Sequence, residues 1–326
     1  MKYEIAEYSL RGAREQNQDA IGYAERGNSV LLVLADGLGG HVGGELASEL
    51  LVQAVIHAYQ SVKQPLITQP SAFLALAILH AHRAINNMGK AQNPPIEPRT
   101  TCVLCLVQDG YAYWAHVGDS RLYLLRNNKI IRRTKDHTMI EQLRQEGVLS
   151  ETEMQTHPEK SRMLRCVGGP REPLVTLGEE TVLMPGDVLL LCTDGLWEAL
   201  PGEEICGYMG RRNLEDAVVD MLLAAESRMD DNSDNISATC LRWNDELTDK
   251  PPLQSNTATE VDHDALWSIA AKKHIAGAPS HSEKKPTGVT PQPRAETGTN
   301  TTSTPSSLEN EIEKLESFLE DFLPKR

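Results

Sequence analysis

The chain reads as an α+β protein built on antiparallel strands, followed by a polar tail. Within the first 243 residues, short apolar runs ending in turn residues outnumber helical patterns. Asp109-Gly110 and Asn127-Asn128 then join neighbouring runs as two-residue hairpin turns, which favours antiparallel pairing over repeated βαβ crossovers.

The elements follow in order. Tyr3–Ser9 is a first strand, and Ser29–Ala35 is a second that stops at Asp36-Gly37. Glu45–Ala58 and Ser71–Asn87 carry apolar residues at helical spacing. Thr100–Gln108 and Tyr111–Val117 flank the Asp109-Gly110 turn, and Arg121–Arg126 stops at Asn127-Asn128. A helix over Met139–Glu146 follows, then a strand over Val188–Thr193 that stops at Asp194-Gly195. Glu203–Arg211 reads as a short helix, Leu214–Glu226 as a longer one, and Ile236–Trp243 as the last strand.

From Asn244 the composition shifts to Pro, Ser, Thr, Gly and Lys, and such a segment cannot bury enough apolar area to order itself. The expected organisation is a catalytic-size domain over 1–243, a disordered linker over 244–305 and a short amphipathic helix over 306–324. Ser306 and Glu309 form a capping box, Leu308, Ile312, Leu315, Leu319 and Phe322 form an apolar seam, and Pro324 marks a stop. That seam is too short to hold a lone helix in water, so it would dock either on a partner or back on the domain.

A net charge of −14 argues against nucleic acid as a general partner, since that binding relies on basic surface. No apolar run approaches a membrane span, and the first residues lack the apolar core of a signal peptide. Six scattered cysteines suit reduced thiols, and the expected location is the cytoplasm. Cys102 and Cys105 lie three apart in a strand and point to opposite faces, as small apolar fillers do.

Four aspartates carry the chemistry. Asp19, Asp36, Asp194 and Asp234 each sit beside an amide or a glycine at the end of an apolar run, where distant strand ends can gather. An all-oxygen set suits a hard cation, Mg²⁺ or Mn²⁺, whereas zinc would favour a Cys/His cluster that the chain lacks.

The ordered set Arg14-x-x-Asn17-Gln18-Asp19, Asp36-Gly37-x-Gly39-Gly40, Gly118-Asp119-Ser120-Arg121, Asp194-Gly195-Leu196-Trp197 and Asp234-Asn235-x-Ser237 resembles the metal-dependent PP2C (PPM) serine/threonine protein phosphatases of the bacterial branch. Each motif alone is common; the five in order are specific. Gly44-Glu45-x-Ala47-Ser48, Lys135-Asp136-His137-Thr138 and Ser161-Arg162-x-Leu164 extend the match, which covers Met1 to about Trp243.

The resemblance implies two packed antiparallel β-sheets flanked by helices on both faces. It implies two or three Mn²⁺ or Mg²⁺ ions, with Asp36 bridging two, Gly37 ligating through its carbonyl, and Asp194 and Asp234 completing the first shell. Asp19 would hold metal-bound waters, and Arg14 would grip phosphate with its planar fork. Asp119 matches a third metal site or serves as a hairpin residue. Arg162 would sit in a substrate flap spanning Ser150–Gly169. A hydroxide bridging the metals would attack phosphorus without a phospho-enzyme intermediate. Gln18 and Leu38 depart from the animal enzymes' metal-ligating Glu and general-acid His, so a metal-bound water is the first candidate for proton donor, with His41 or His116 next.

Other templates fail on particular residues. Val42 stands where Gly-x-Gly-x-x-Gly needs its third glycine, and Cys206 to Arg212 has the Cys-x₅-Arg spacing without a glycine-rich anion loop. His80 and His82 stand two apart on a helix and read as ordinary helix-face residues. Trp114 and Trp197 read as core aromatics. The expected activity is hydrolysis of phosphoserine and phosphothreonine in proteins, with substrates of a serine/threonine kinase as partners. A catalytically weak pseudophosphatase acting as a binding module, or a hydrolase of small phosphate esters, would use the same residues.

Overall fold

The computed structural model describes residues 1–38, 43–149 and 163–245, together with positions 153 and 157. Gly39, Gly40, His41 and Arg162 lie outside the described residues, as do the linker from residue 246 onward and the helix expected over 306–324.

Two antiparallel sheets form the centre. The first runs β1 (Tyr3–Leu10), β13 (Ile236–Trp243), β12 (Val188–Cys192), β7 (Arg121–Arg126), β8 (Lys129–Arg133). The second runs β10 (Thr176–Leu177), β6 (Tyr111–Val117), β5 (Cys102–Gln108), β3 (Ser29–Asp36), β2 (Asp19–Arg26), with β11 (Thr181–Val182) also on β6. Asp109 and Gly110, and likewise Asn127 and Asn128, all take positive φ, as tight hairpin turns demand. Both turns fall where the sequence places them.

Three apolar layers fix the stacking. Between the sheets lie Leu32, Leu34, Cys105, Leu124, Leu189 and Leu241. On the outer face of the second sheet, α1 (Gly44–Ser61) and α2 (Pro70–Ala91) bury Leu51, Val55, Leu74 and Ile78 against Leu31, Val33 and Cys102. Outside the first sheet, α5 (Gly202–Met209) and α6 (Leu214–Met229) bury Ile205, Val218 and Leu222 against Leu190 and Ala238. Cys102 and Cys105 thus face opposite layers. All six cysteines are unpaired, and no helix among the described residues is long and apolar enough to cross a membrane.

The structure corrects several boundaries. The strand expected over Thr100–Gln108 breaks at Thr101, because β4 (Arg99–Thr100) leaves the sheet to pair with β9 (Val167–Gly168) while the Thr101 N–H bonds the Asp36 carbonyl at 2.8 Å. The run over Val188–Thr193 ends at Cys192, and Asp194 begins a one-turn helix, α4 (Asp194–Trp197). The helix expected over Met139–Glu146 is α3 (Met139–Gln145), whose Thr138 cap accepts from the Glu141 N–H.

Candidate active site

One cleft of about 1260 Å³ opens at the end of the two sheets. Arg14, Asp36, Gly37, Asp119, Asp194 and Asp234 line it together. Asp19 stands behind that lining, directly opposite Asp36 on the β2–β3 ladder. Six of the positions singled out in the sequence thus share one cleft although they span more than two hundred residues of chain.

Backbone bonds aim these groups. The Asp36 N–H donates to Thr101 Oγ1 at 3.1 Å, and the Asp36 carbonyl accepts from the Thr101 N–H and from Thr100 Oγ1, both at 2.8 Å. The Gly37 N–H donates to the Gln18 carbonyl at 3.0 Å. A Cβ on Gly37 would meet the Gly44 carbonyl oxygen at 2.4 Å and the Gln18 carbonyl oxygen at 2.8 Å, so glycine alone lets this turn pass so close to α1.

Asn235, which carried no role in the sequence reading, is the tether of the Arg11–Gln18 loop. Its Oδ1 accepts from the Gln18 N–H at 2.8 Å, and its Nδ2 donates to the Arg11 and Gln16 carbonyls at 2.8 and 3.0 Å. Thr193 Oγ1 donates to Asp19 Oδ2 at 3.0 Å and accepts from the Ser237 N–H. Both acceptors and donors lie far away in sequence, and no local signal marks them.

Arg14 pairs with Asp234 at 2.6 Å, at the accessible rim of the cleft. The ion pair and the cleft position coincide: the guanidinium sits beside the acids and still faces solvent. An exposed pair of this kind contributes about 0–1 kcal/mol, so an incoming anion can compete for the arginine at little cost.

Protein crowds the acids: Asp119 is buried, and Asp19, Asp36, Asp194 and Asp234 are half-buried. Asp36 and Asp194 are held well above the ordinary carboxylate pKa, first by burial and then by their acidic neighbours: chiefly Asp19 and Asp194 around Asp36, Asp119 and Asp234 around Asp194. Asp19 is raised to about 7 by burial, against the opposing Ser237 and Thr193 hydroxyls, and Asp119 to about 7 by burial and the charge of Asp136. Asp19 Oδ1 is buried without a hydrogen-bond partner. A cluster of mutually repelling, partly unpartnered carboxyl groups is the donor set that a divalent cation would neutralise. Among the described residues no group of three or more His, Cys, Asp or Glu side chains is placed to hold a metal ion. A hard cation there would therefore rely on waters and backbone oxygen as well as carboxylates.

Comparison with known proteins settles the kinship. The family model for protein phosphatase 2C matches residues 8–234. The chain belongs to the protein phosphatase 2C family. It is 31% identical over 193 residues to protein phosphatase PhpP of Streptococcus pneumoniae, covering 59% of this chain and 78% of the relative. The S. agalactiae serine/threonine phosphatase structure superposes with a TM-score of 0.68 at 27% identity, over 74% of this chain and 99% of that one. The catalytic domain of PstP, solved in complex with two manganese ions, superposes with a TM-score of 0.63 at 29% identity, over 74% of this chain and 99% of that one. Membership places the chain among protein-serine/threonine phosphatases, and the two sheets with outer helices match these structures.

The structure removes one candidate proton donor. His116 is buried away from the cleft lining, its Nε2 against the Lys135 carbonyl at 2.8 Å and its ring stacked on His137 at 4.6 Å. It cannot reach a leaving group in the cleft. His82 is likewise no plain surface residue: it is buried, and its Nδ1 accepts from the Gly168 N–H at 2.9 Å.

Proposed function

We propose that this phosphatase hydrolyses phosphoserine and phosphothreonine in proteins with the help of Mn²⁺ or Mg²⁺, two ions and at most three. The observation that carries the reading is the convergence of Asp36, Asp119, Asp194 and Asp234 on one cleft that also presents Arg14. When bound, the ions supply an activated water and neutralise phosphoryl oxygens. Asp36, Asp194 and Asp234 would hold them as carboxylates, the Gly37 carbonyl and Asp119 would add oxygen, and Asp19 would orient waters behind Asp36.

The residues of the chain do the rest. Arg14 trades its pairing with Asp234 for the phosphoryl oxygens and orients the ester. The Thr100, Thr101 and Asn235 hydrogen bonds fix Asp36 and the Arg14 loop before substrate arrives, so little reorganisation is left to the reaction. A proton must still reach the serine or threonine oxygen; with His116 buried, a water held at the acids remains its first source.

The size of the cleft favours a protein substrate over a small ester, since small-molecule pockets run to about 300–1,000 Å³ and are more enclosed. The substrates we infer are targets of a serine/threonine kinase, in the cytoplasm, where unpaired thiols persist. The test compares turnover of a phosphothreonine peptide with that of small phosphomonoesters, with Mn²⁺, with Mg²⁺ and with chelator. Metal-dependent turnover that favours the peptide supports the reading. Preference for the small esters would make it a small-molecule hydrolase, and binding of phosphopeptide without turnover a pseudophosphatase.

A further inference from the structure

Four side chains without a role so far, buried Arg121, Asp136 and Tyr123 and half-buried Trp197, form a stack that ends on the backbone of one cleft acid. The Arg121 guanidinium donates from Nε and Nη2 to both oxygens of Asp136, at 2.9 and 2.6 Å, and from Nη1 to the Tyr123 hydroxyl at 3.1 Å. Its carbon lies 3.5 Å from the centroid of the Trp197 ring. The Trp197 indole N–H in turn donates to the Asp119 carbonyl at 3.0 Å.

The location of this stack gives it meaning. The β7–β12 ladder ends at the Arg121–Cys192 rung. Asp119 and Asp194 each lie two residues beyond that rung, so no ladder hydrogen bond fixes one against the other. Gly118 is held by His137 and Ser120 by Thr101, and neither contact reaches α4. Trp197 does: it closes the helix that Asp194 opens, and its N–H crosses to the backbone of Asp119.

A simpler role for Arg121 is phosphate binding. Its charge is already matched by Asp136, both residues are buried, and it is absent from the cleft lining. The pair is also an expensive way to gain stability, because a buried ion pair often contributes less than an apolar replacement. What it provides is a flat guanidinium, held by Asp136 and Tyr123, on which the indole stacks.

We propose that Trp197, seated on the Arg121–Asp136 pair, is a positioning residue that sets the spacing of Asp119 and Asp194 and thereby the affinity of that side of the cleft for a divalent cation. The inference rests on the metal-dependent reading above. Partners one step removed from metal ligands typically change affinity by about 10–100-fold when lost.

The test uses the full chain and Mn²⁺ alone, titrated by calorimetry and by the electron paramagnetic resonance signal of free Mn²⁺. Trp197→Phe keeps an aromatic ring at the Arg121 stack and removes the indole N–H together with the five-membered ring that carries it. It is expected to weaken the weakest Mn²⁺ binding step by about tenfold, with phosphopeptide kcat at saturating Mn²⁺ within about threefold of wild type. Arg121→Lys, which keeps charge but loses the fork and the stack, is expected to do the same. Combining Trp197→Phe with Asp119→Asn should weaken binding no further than Asp119→Asn alone. A Trp197→Phe isotherm that superimposes on wild type, whether or not the melting temperature falls, overturns the proposal and leaves the stack a packing device. A wild-type chain that binds no Mn²⁺ overturns the metal-dependent reading, and this inference with it.

Discussion

Asp19 and Asp36 face each other at the last rung of the β2–β3 ladder, two carboxyl groups on paired positions where like charges repel. Thr193 satisfies one oxygen of Asp19 and leaves the other buried without a partner. This is a poor arrangement for a strand pair and a good one for a cation.

Asp36→Asn should therefore separate activity from stability. Phosphopeptide turnover, assayed metal-replete, is expected to fall by at least about a thousandfold, as one charge central to the cluster is lost. The melting temperature in chelator is expected to hold or rise, because Asp36 carries the repulsion of Asp19, Asp194 and Asp119. Turnover left intact would refute the assignment of Asp36.

Asn235→Ala removes one acceptor and two donors from the Arg11–Gln18 loop. The expected cost is about 2–4 kcal/mol in urea unfolding, since three partly buried hydrogen bonds to backbone groups are lost together. Arg14 rides on that loop, so the KM for phosphopeptide should rise as well. A cost under about 1 kcal/mol would show that water replaces the amide.

Two glycines should respond in opposite ways to alanine. Gly37→Ala sets a Cβ against two backbone carbonyls and is expected to cost about 1–3 kcal/mol along with activity. Gly207, inside α5 with nothing near its missing Cβ, should gain about 0.5–1 kcal/mol from the same change. Differential scanning calorimetry of both variants checks the contrast.

The pH dependence of stability should carry a contribution from His82. Burial holds its imidazole below the ordinary pKa, with the Glu172 charge opposing and that of Arg83 reinforcing. Nδ1 accepts from the Gly168 N–H, a bond that a protonated ring could not keep, and Nε2 lies 3.0 Å from Asn86 Nδ2. As pH falls through about 6.5 the unfolded chain takes up this proton before the folded one, so stability is lost toward acid. The raised carboxyls of the cleft gain stability over the same window, so the check is a difference: the unfolding free energy of wild type relative to His82→Gln should fall between about pH 7.5 and about pH 5.5. Equal slopes would remove His82 from the balance.

The sequence was most legible where chemistry and local pattern coincide. Val30 to Leu34 and Cys102 to Val107 are apolar throughout because both sheet faces are covered, and such runs declare themselves. β2 and β8 did not: they are edge strands with charged ends and exposed faces, and Ile130 and Ile131 stand half in water. β9, β10 and β11 are two residues each and leave no periodicity to read. The acids of the site were visible because each stands just before or just after an apolar run. Asn235 appeared only as a motif letter and Trp197 as a core aromatic, since their partners include the backbone of Arg11, Gln16 and Asp119, set by tertiary contact alone.

The pairing of β1 with β13 runs from Tyr3–Trp243 to Leu10–Ile236, joining the first strand of the domain to its last. Synthesis delivers Arg14 and Asp36 early and Asp234 and Asn235 nearly two hundred residues later. A nascent chain still short of Asp234 lacks both the partner of Arg14 and the tether of its loop. Such long-range closure comes late in folding, after the local hairpins. Activity is thus expected only once the final strand has docked, and a chain interrupted before that strand is expected to be silent.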